Sequence, residues 1–384
     1  MRPDRLPVPQ SDALDASGAL VDLIRREIAA HGDWIGFARY MELALYAPGL
    51  GYYAGGAAKL GAAGDFVTAP QLGPLFARTL ACQVAEILAA LPADARCVLE
   101  FGAGSGALAA DLLDALEARG SAPVQYLILE PSPELRARQR ERLGARARWI
   151  DRLPESFSGV ALANEVLDAM PVHALAWTPA GILERGVAIN DGALAWTDRP
   201  AAGAVLEAAR LIEIELPPSG RYESELGLVA MAWMRSLAER LQAGAILAID
   251  YGFTRREYYH PQRSMGTLMC HYRHRAHGDV FLHPGLQDLT AHLDFSALAR
   301  AAQDGGLEPL GYSTQAGFLV NCGITDELAR ADPGDAKRYA PLAAQAQQLL
   351  SPAEMGELFK VLAVGKAVAT PLCGFARGDR AHTL

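Results

Sequence analysis

The 384-residue sequence has few cysteines and no long apolar run. Its five cysteines form no C-x-x-C pair, which argues against a disulfide framework and a four-cysteine zinc site. No apolar run reaches the roughly eighteen residues of a membrane-spanning helix. The first residues carry three aspartates and no apolar core, so we expect neither a secretory signal nor a transit peptide. These features predict a soluble cytoplasmic protein, with no membrane insertion.

An excess of basic charge is also missing. The formal net charge is −9, which argues against broad binding to nucleic acid or to anionic membranes. The stretch "RREYYHPQR" (255–263) mixes basic and aromatic residues, but it resembles no RNA-binding module. Hydrophobic residues make up 51% of the chain, enough for a large core in two domains or in one domain with insertions.

From residue 96 onwards, short apolar runs alternate with helical patterns. This alternation predicts right-handed βαβ units and a mostly parallel sheet. Seven predicted strands, with a glycine loop after the first, fit an α/β fold, the class I methyltransferase variant of the Rossmann-like fold with helices on both faces. Residues 1–95 are predicted to form an N-terminal helical segment with a Gly-rich lid loop. The core is predicted in two pieces, 96–170 and 240–384. An inserted subdomain (171–240) separates them, and a cap loop (253–290) lies within the second piece.

The first predicted core strand runs into the glycine loop of "VLEFGAGSGALAADLL" (98–113). Gly102, Gly104 and Gly106 have the spacing G-x-G-x-G, which by itself does not distinguish a dinucleotide from S-adenosylmethionine. Glu100, just before the glycines, would repel a pyrophosphate but suits the ammonium of a methionyl group. Glu130 ends the second strand, where an acid binds ribose hydroxyls. These acids favour S-adenosylmethionine, and NAD remains an alternative.

A second cluster of polar residues follows the fourth predicted strand, in "ANEVLDAMPV" (163–172). Asn164, Glu165 and Asp168 bring one amide and two carboxylates to the edge where an acceptor would meet the methyl donor. Methyl transfer depends mostly on positioning, and on a base if the acceptor is protonated. An arginine acceptor is always protonated near neutral pH and would need such carboxylates. A helix-capping or solvent-exposed role is the alternative for each acid.

The sequence from 253 to 290 is rich in arginine, histidine and tyrosine. "CHYRHRAH" (270–277) contains one cysteine and three histidines, but their spacing fits no common zinc site, so we predict no metal. We predict a polar cap loop over the acceptor, with Tyr251, Tyr272 and Arg273 as contacts. Asp294 is expected to begin a helix.

Several of these motifs together resemble the MidA family of methyltransferases, found in bacteria and mitochondria. The matching stretches cover nearly the whole chain: "FARYMELALYAPGLGYYAGG", "GDFVTAPQLGPLFARTLA", "LEFGAGSGALAADLL", "YLILEPSPELRARQ", "ANEVLDAMPV", "AIDYG", "GTLMCHYRHRAHGD" and "DLTAHLDFSALA". The resemblance implies S-adenosylmethionine binding, with Pro70 among the cofactor contacts. By analogy with the mitochondrial member, which assists assembly of respiratory complex I, it implies methylation of arginine in a protein partner. The family usually has "TSPE" where this chain has Thr68-Ala69-Pro70-Gln71, so an amide replaces a carboxylate.

Alternative functions stay open at this point. The chain could methylate a small molecule, or be a catalytically weak assembly factor that uses the cofactor structurally. An NAD-dependent oxidoreductase is the remaining alternative. A homodimer is a possible assembly.

Overall fold

The computed structural model describes residues 6–55, 68–369 and 371–384, so most of the predicted lid loop (49–70) lies outside the described residues. The α-helices of the described part are, in chain order, α1 Ser11–Ala30, α2 Phe37–Tyr46, α3 Ala69–Leu72, α4 Leu75–Ala89, α5 Ala107–Ala118, α6 Pro133–Leu143, α7 Gly203–Arg210, α8 Leu228–Arg240, α9 Arg255–Tyr258, α10 Phe295–Asp304, α11 Gln315–Asn321, α12 Ile324–Ala329 and α13 Ala336–Leu350.

The strands of the same ranges are β1 Ile35–Gly36, β2 Cys97–Phe101, β3 Gln125–Leu129, β4 Arg148–Ile150, β5 Phe157–Asn164, β6 His173–Thr178, β7 Gly181–Asn190, β8 Ala193–Pro200, β9 Tyr222–Leu226, β10 Leu241–Phe253, β11 Met269–Tyr272, β12 Arg275–His277, β13 Asp288–Thr290, β14 Leu293–Asp294, β15 Glu308–Thr314 and β16 Phe359–Lys366. They belong to two compact units. The described residues of the core unit are those of 68–167, 231–255 and 293–384, and those of the accessory unit are 6–55, 168–230 and 256–292.

The core unit is built on one large sheet. Its main strands lie in the order β15-β16-β10-β5-β2-β3-β4, and β14 pairs with the end of β10. Strands β10, β5, β2, β3 and β4 are parallel to one another, whereas β16 is antiparallel to both β10 and β15. This sheet confirms the α/β, Rossmann-like fold predicted from the alternation of strands and helices.

Helices cover both faces of this sheet. On one face, apolar side chains of the strands, such as Val98 and Val160, pack in one cluster with those of α4 and α5. On the other face, Phe101 of β2 meets Trp233 of α8, with 4.9 Å between ring centroids. Helix α10 also packs on β10, β15 and β16. The strands are therefore buried on both faces, which explains their nearly continuous apolar sequences.

The accessory unit contains two antiparallel sheets and the N-terminal helices. One sheet has the order β1-β7-β6-β9 with β8 on β7, and the other has the order β12-β11-β13. Apolar residues of α1 and α2, among them Leu20, Ile24 and Phe37, form the core of this unit together with Val187 of β7. Short alternating runs joined by turn residues in 171–202 predict an antiparallel insertion, and β6, β7 and β8 confirm it.

Two details of the sequence prediction are wrong. The sequence pattern predicts one long helix over about 223–242, but residues 222–226 form β9, and α8 begins only at Leu228. The glutamates of this stretch favour a helix locally, yet pairing with β6 and burial of four of the five strand residues prevail. The mixed composition of 253–290 predicts irregular structure, but this segment contains α9 and the three-stranded sheet. No helix in the described ranges is long and apolar enough to cross a membrane.

Candidate active site

The glycine loop and the polar motifs of the core unit meet at one edge of the sheet. Strand β2 is parallel to β3 and β5, so the ends of all three lie side by side. Phe101 at the end of β2 is in register with Leu129 of β3 and Ala163 of β5. Ligands of doubly wound sheets bind outside the carboxyl ends of such strands.

All three predicted loop glycines have a left-handed backbone. The φ angles are 56° for Gly102, 54° for Gly104 and 74° for Gly106, which favour glycine over any other residue. A Cβ at Gly102 would lie 3.1 Å from Cγ2 of Val166, so a side chain there would have to displace Val166 slightly. Gly106 is the N-cap of α5. Gly102 and Gly106 therefore let the loop pack closely on Val166 and Gln139 at the N-terminus of α5.

Glu130 lies just past the end of β3 and is 3% exposed. Its Oε1 accepts a hydrogen bond from the Ser132 backbone amide (3.0 Å), and its Oε2 accepts one from Nε2 of Gln139 (3.0 Å). Burial raises the pKa of Glu130, and the bonds from Ser132 and Gln139 oppose that rise. The Gly104 backbone also bonds this carboxyl. A carboxylate has about four lone-pair sites, so Glu130 keeps room for a further donor such as a ribose hydroxyl.

Glu100 on β2 is also buried, with 2% of its surface exposed. Its Oε2 accepts a hydrogen bond of 2.7 Å from the Tyr126 hydroxyl on β3. Burial raises the pKa of Glu100 from 4.5 to about 7, although the bond from Tyr126 acts in the opposite direction. A nearby ammonium would restore the charged form of this carboxyl.

Asn164 and Glu165 form the turn that follows β5. Glu165 has a φ of 54°, an unusual value for a non-glycine residue. Its Oε1 accepts hydrogen bonds from Nδ2 of Asn164 (3.1 Å) and from the backbone amide of Ala69 (3.3 Å). Strain of this kind is common at functional sites.

The same contact brings α3 to this turn, and α3 contains two residues singled out in the sequence. Pro70 occupies the first turn of α3 and is half-buried. Oε1 of Gln71 is buried and accepts no hydrogen bond from the part of the chain that the structure describes. An amide thus stands where related sequences are expected to have a carboxylate.

Asp250 of β10 is fully buried and holds the turn that follows β5. Its Oδ2 accepts hydrogen bonds from the backbone amides of Val166 (3.2 Å) and Leu167 (3.0 Å). Its Oδ1 accepts one from the amide of Tyr251 (2.9 Å). The ring of Tyr251 packs on Phe359, with 4.0 Å between centroids. Asp250 therefore holds the backbone beside Glu165.

Three predicted site residues belong to the accessory unit. Asp168 is 7% exposed, and burial raises the pKa of its carboxyl from 3.8 to about 7. Tyr272 ends β11 and is buried, while Arg273 follows it in the turn to β12 with its guanidinium 5.4 Å from the Tyr272 ring centroid. The core unit thus brings Asn164 and Glu165 to the same sheet edge as the glycine loop. The other three predicted site residues are part of the accessory unit.

The histidine-rich segment forms the β11–β12 hairpin, in which Cys270 is in register with His277. No group of three or more potential metal ligands is arranged around an ion position in the described ranges. Asp294 begins α10, where its Oδ1 accepts from the Ala297 amide (3.0 Å), so its predicted structural role is confirmed. Its Oδ2 also accepts from Nε of Arg255.

Sequence reasoning missed Gln139 and the contacts of Asp250. Gln139 is fully buried on α6 between Leu135 and Leu143, the other buried residues of that helix. The signal was a glutamine at the middle of an i, i+4, i+8 stripe whose other positions are leucines. A polar residue in that position must have buried partners.

Three features define a class I methyltransferase fold. They are the order of the strands, the glycine loop after β2, and strand β16, which is antiparallel to both of its neighbours, β10 and β15. A family model described as "Putative S-adenosyl-L-methionine-dependent methyltransferase" matches residues 79–313. The chain belongs to this family, the MidA family of S-adenosylmethionine-dependent methyltransferases, as its motifs predicted. It is an S-adenosylmethionine-dependent enzyme, and the predicted methyl donor is confirmed at this level.

Relatives and solved structures agree with this membership. The chain is 32% identical over 368 residues to the mitochondrial protein arginine methyltransferase NDUFAF7 of Danio rerio, covering 86% of this chain and 83% of the relative. The mouse protein of the same name is 30% identical over 371 residues, with coverages of 85% and 80%. A crystal structure from Burkholderia thailandensis bound to S-adenosylhomocysteine is 55% identical, with a TM-score of 0.94 and coverages of 99% and 100%. A native structure from the same organism is 54% identical, with a TM-score of 0.92 and the same coverages.

Proposed function

We propose that this enzyme transfers a methyl group to an arginine of a protein partner. The donor site is formed by the loop glycines, Glu100, Glu130 and Pro70. S-adenosylmethionine supplies the methyl group from a sulfonium sulfur, so the S–CH₃ bond breaks as an N–CH₃ bond forms. Glu165, Asn164 and Asp168 are the acceptor-side residues. The proposal rests mainly on the two buried carboxylates that flank three left-handed glycines at one sheet edge.

The donor half of the proposal is supported by the chemistry of these groups. Hydrogen bonds from Ser132 and Gln139 hold the Glu130 carboxylate in place, and it keeps acceptor capacity for the ribose. Glu100 offers a carboxyl to the ammonium of the methionyl tail, and its burial makes an unpaired charge unfavourable there. No phosphate has to be accommodated next to either acid.

The acceptor half is supported by the carboxylates that follow β5. A guanidinium is a planar cation that carries only hydrogen-bond donors, and methylation of its nitrogen releases one proton. Glu165 is oriented by Asn164 and Ala69, so its carboxylate is available in one geometry to hold such a cation. Asp168, with a pKa near 7, suits a group that takes up a proton near neutral pH.

A protein acceptor is supported by the names of the relatives, which are protein arginine methyltransferases at about 30% identity. We keep Tyr251, Tyr272 and Arg273 as acceptor contacts. The cysteines in the described part form no disulfide, which supports a cytoplasmic setting. Nucleic acid is not among the proposed partners.

The test incubates the purified protein with methyl-labelled S-adenosylmethionine and lysate proteins, followed by acid hydrolysis and amino-acid analysis. The expected product is labelled methylarginine, and Glu130→Ala should reduce the label at least tenfold at limiting donor. Glu117→Ala, at an exposed position of α5, is the matched control and should behave as the wild type. Glu165→Gln should reduce the label while leaving affinity for S-adenosylhomocysteine within about twofold.

Three results would contradict the proposal. Label found only in small molecules would favour the small-molecule methyltransferase. Tight donor binding without any transfer would favour a binding factor. Equal labelling by the wild type and Glu130→Ala would refute the donor site.

A further inference from the structure

Gln139 connects three parts of the donor edge through one side-chain amide. Its Nε2 donates to the Gly104 carbonyl (2.9 Å) and to Oε2 of Glu130 (3.0 Å). Its Oε1 accepts from the indole Nε1 of Trp149 on β4 (2.8 Å). The loop after β2, the acid after β3 and the strand β4 are therefore tied to one buried group.

The orientation of this amide follows from its partners. The Trp149 indole can only donate, so it must face the amide oxygen. Both amide hydrogens then point away from Trp149, towards a carbonyl and a carboxylate that can only accept while the acid is ionised. A flipped amide would break all three bonds. Trp149 therefore fixes the orientation in which the Gln139 amide donates to Glu130.

Steric contacts bring the same residue against the loop. A Cβ at Gly106 would lie 3.4 Å from Cγ and 3.5 Å from Cα of Gln139. The backbone of α6 thus lies directly on the glycine turn. Gln139 is 0% exposed, so water cannot replace its bonds if the amide is removed.

We propose that Gln139 is a positioning residue of the donor site, which sets the Glu130 carboxylate relative to the glycine loop and thereby determines affinity for S-adenosylmethionine. This inference rests on the donor site of the proposed function. It gives Gln139 no contact with the donor. Its effect passes through Glu130 and Gly104.

Removal of the amide has a consequence that loss of packing alone would not have. The bond from Gln139 lowers the pKa of Glu130 against the opposing effect of burial. Without that bond the pKa of Glu130 rises, and the protonated acid is a poorer acceptor for ribose hydroxyls. Arg136 also lowers the pKa of Glu130, and Glu100 is a nearby acid, but both are the same in the variant and the wild type. Donor affinity should therefore fall more steeply in the variant than in the wild type as the pH is lowered.

The experiment is calorimetric titration of S-adenosylhomocysteine into the full-length protein at pH 6, 7 and 8. Gln139→Leu should bind about tenfold more weakly at pH 8, the size expected for a lost hydrogen bond to a charged group, and weaker still at pH 6. Gln315→Leu is the matched control, because Gln315 is also a fully buried glutamine of the core unit but bonds the Leu349 carbonyl. It should leave the affinity and its pH profile unchanged.

Trp149→Phe keeps an aromatic ring but removes the donor that orients the amide, and should weaken binding about threefold. If Gln139→Leu fails to fold, Trp149→Phe decides: a threefold loss supports the proposal, and wild-type affinity overturns it. Wild-type affinity and pH profile in Gln139→Leu also overturn it. Glu130→Ala distinguishes failure of the donor site from failure of the role given to Gln139. If Glu130→Ala binds normally, the donor site itself is wrong, whereas loss in Glu130→Ala alone refutes only the role of Gln139.

Discussion

Replacing Glu100 by glutamine should stabilise the protein, and more so at high pH. Glu100 is 2% exposed and its Oε2 accepts from the Tyr126 hydroxyl at 2.7 Å. A glutamine of the same shape keeps an oxygen for that bond and never becomes charged. The substitution therefore removes a buried ionisation with little change in packing.

The magnitude follows from the pKa of Glu100, which burial raises from 4.5 to about 7 in the folded protein. Because the folded state binds this proton more tightly than the unfolded chain, stability from this group is complete below about pH 4.5. It is lost as the pH rises to about 7. At about 1.4 kcal/mol for each pKa unit, the total is about 3 kcal/mol. Glu100→Gln avoids this loss, so its advantage should grow by about 2.5 kcal/mol between pH 5 and pH 8.

Urea denaturation of the wild type and Glu100→Gln at pH 5 and pH 8 measures this difference. Glu117→Gln, at an exposed position on α5, is the control and should show no pH-dependent gain. An advantage of Glu100→Gln that is the same at both pH values would refute the reasoning. The variant should also bind S-adenosylhomocysteine more weakly at pH 8, because the anion proposed to face the ammonium is gone.

The remaining predictions concern the loop, the turn and one helix cap. Gly102→Ala should weaken S-adenosylhomocysteine binding at least tenfold by calorimetry, because alanine is strained at a φ of 56° and its methyl group meets Val166. The control is Gly120→Ala, at a glycine with a φ of 65° and open space around it, which should bind normally. Equal affinities of the two variants would contradict this prediction. Asp250→Asn should lower the initial rate of methyl transfer about tenfold, since an amide cannot accept from all three backbone amides; an unchanged rate would show that the turn does not need them. Asp294→Ala should destabilise the protein by about 1–2 kcal/mol in urea without changing cofactor affinity, and a loss of affinity would show that the residue does more than cap α10.

The core strands and the glycine loop could be predicted from the sequence because their signals are local. Strand β2 begins and ends where the apolar run "CVLEF" does, and Gly102, Gly104 and Gly106 form the turn that follows it. The serine that begins "SPELRARQRERL" predicts a helix cap, and Ser132 caps α6 with its hydroxyl accepting from the Leu135 amide. In each case the physical cause lies within a few residues of the feature.

The parts that could not be predicted depend on residues distant in the chain. The bond between Gln139 and the Gly104 carbonyl joins residues 35 apart, and that between Asp250 and Val166 joins residues 84 apart. Strand β9 was mistaken for helix because its partner β6, which decides the matter, lies more than forty residues earlier. The positive φ of Glu165 was likewise invisible, since the turn is held by a bond from the Glu165 amide to the Ile249 carbonyl of β10, which is distant in the chain.

The central claim is that the Glu130 carboxylate holds the ribose of the donor beside the glycine loop. A crystal structure of this protein with S-adenosylhomocysteine tests it most directly. We expect both ribose hydroxyls within hydrogen-bonding distance, about 2.5–3.0 Å, of the Glu130 oxygens, with the methionyl tail directed towards Glu100. A ribose bound away from Glu130, with no hydroxyl in contact with its carboxylate, would contradict the account.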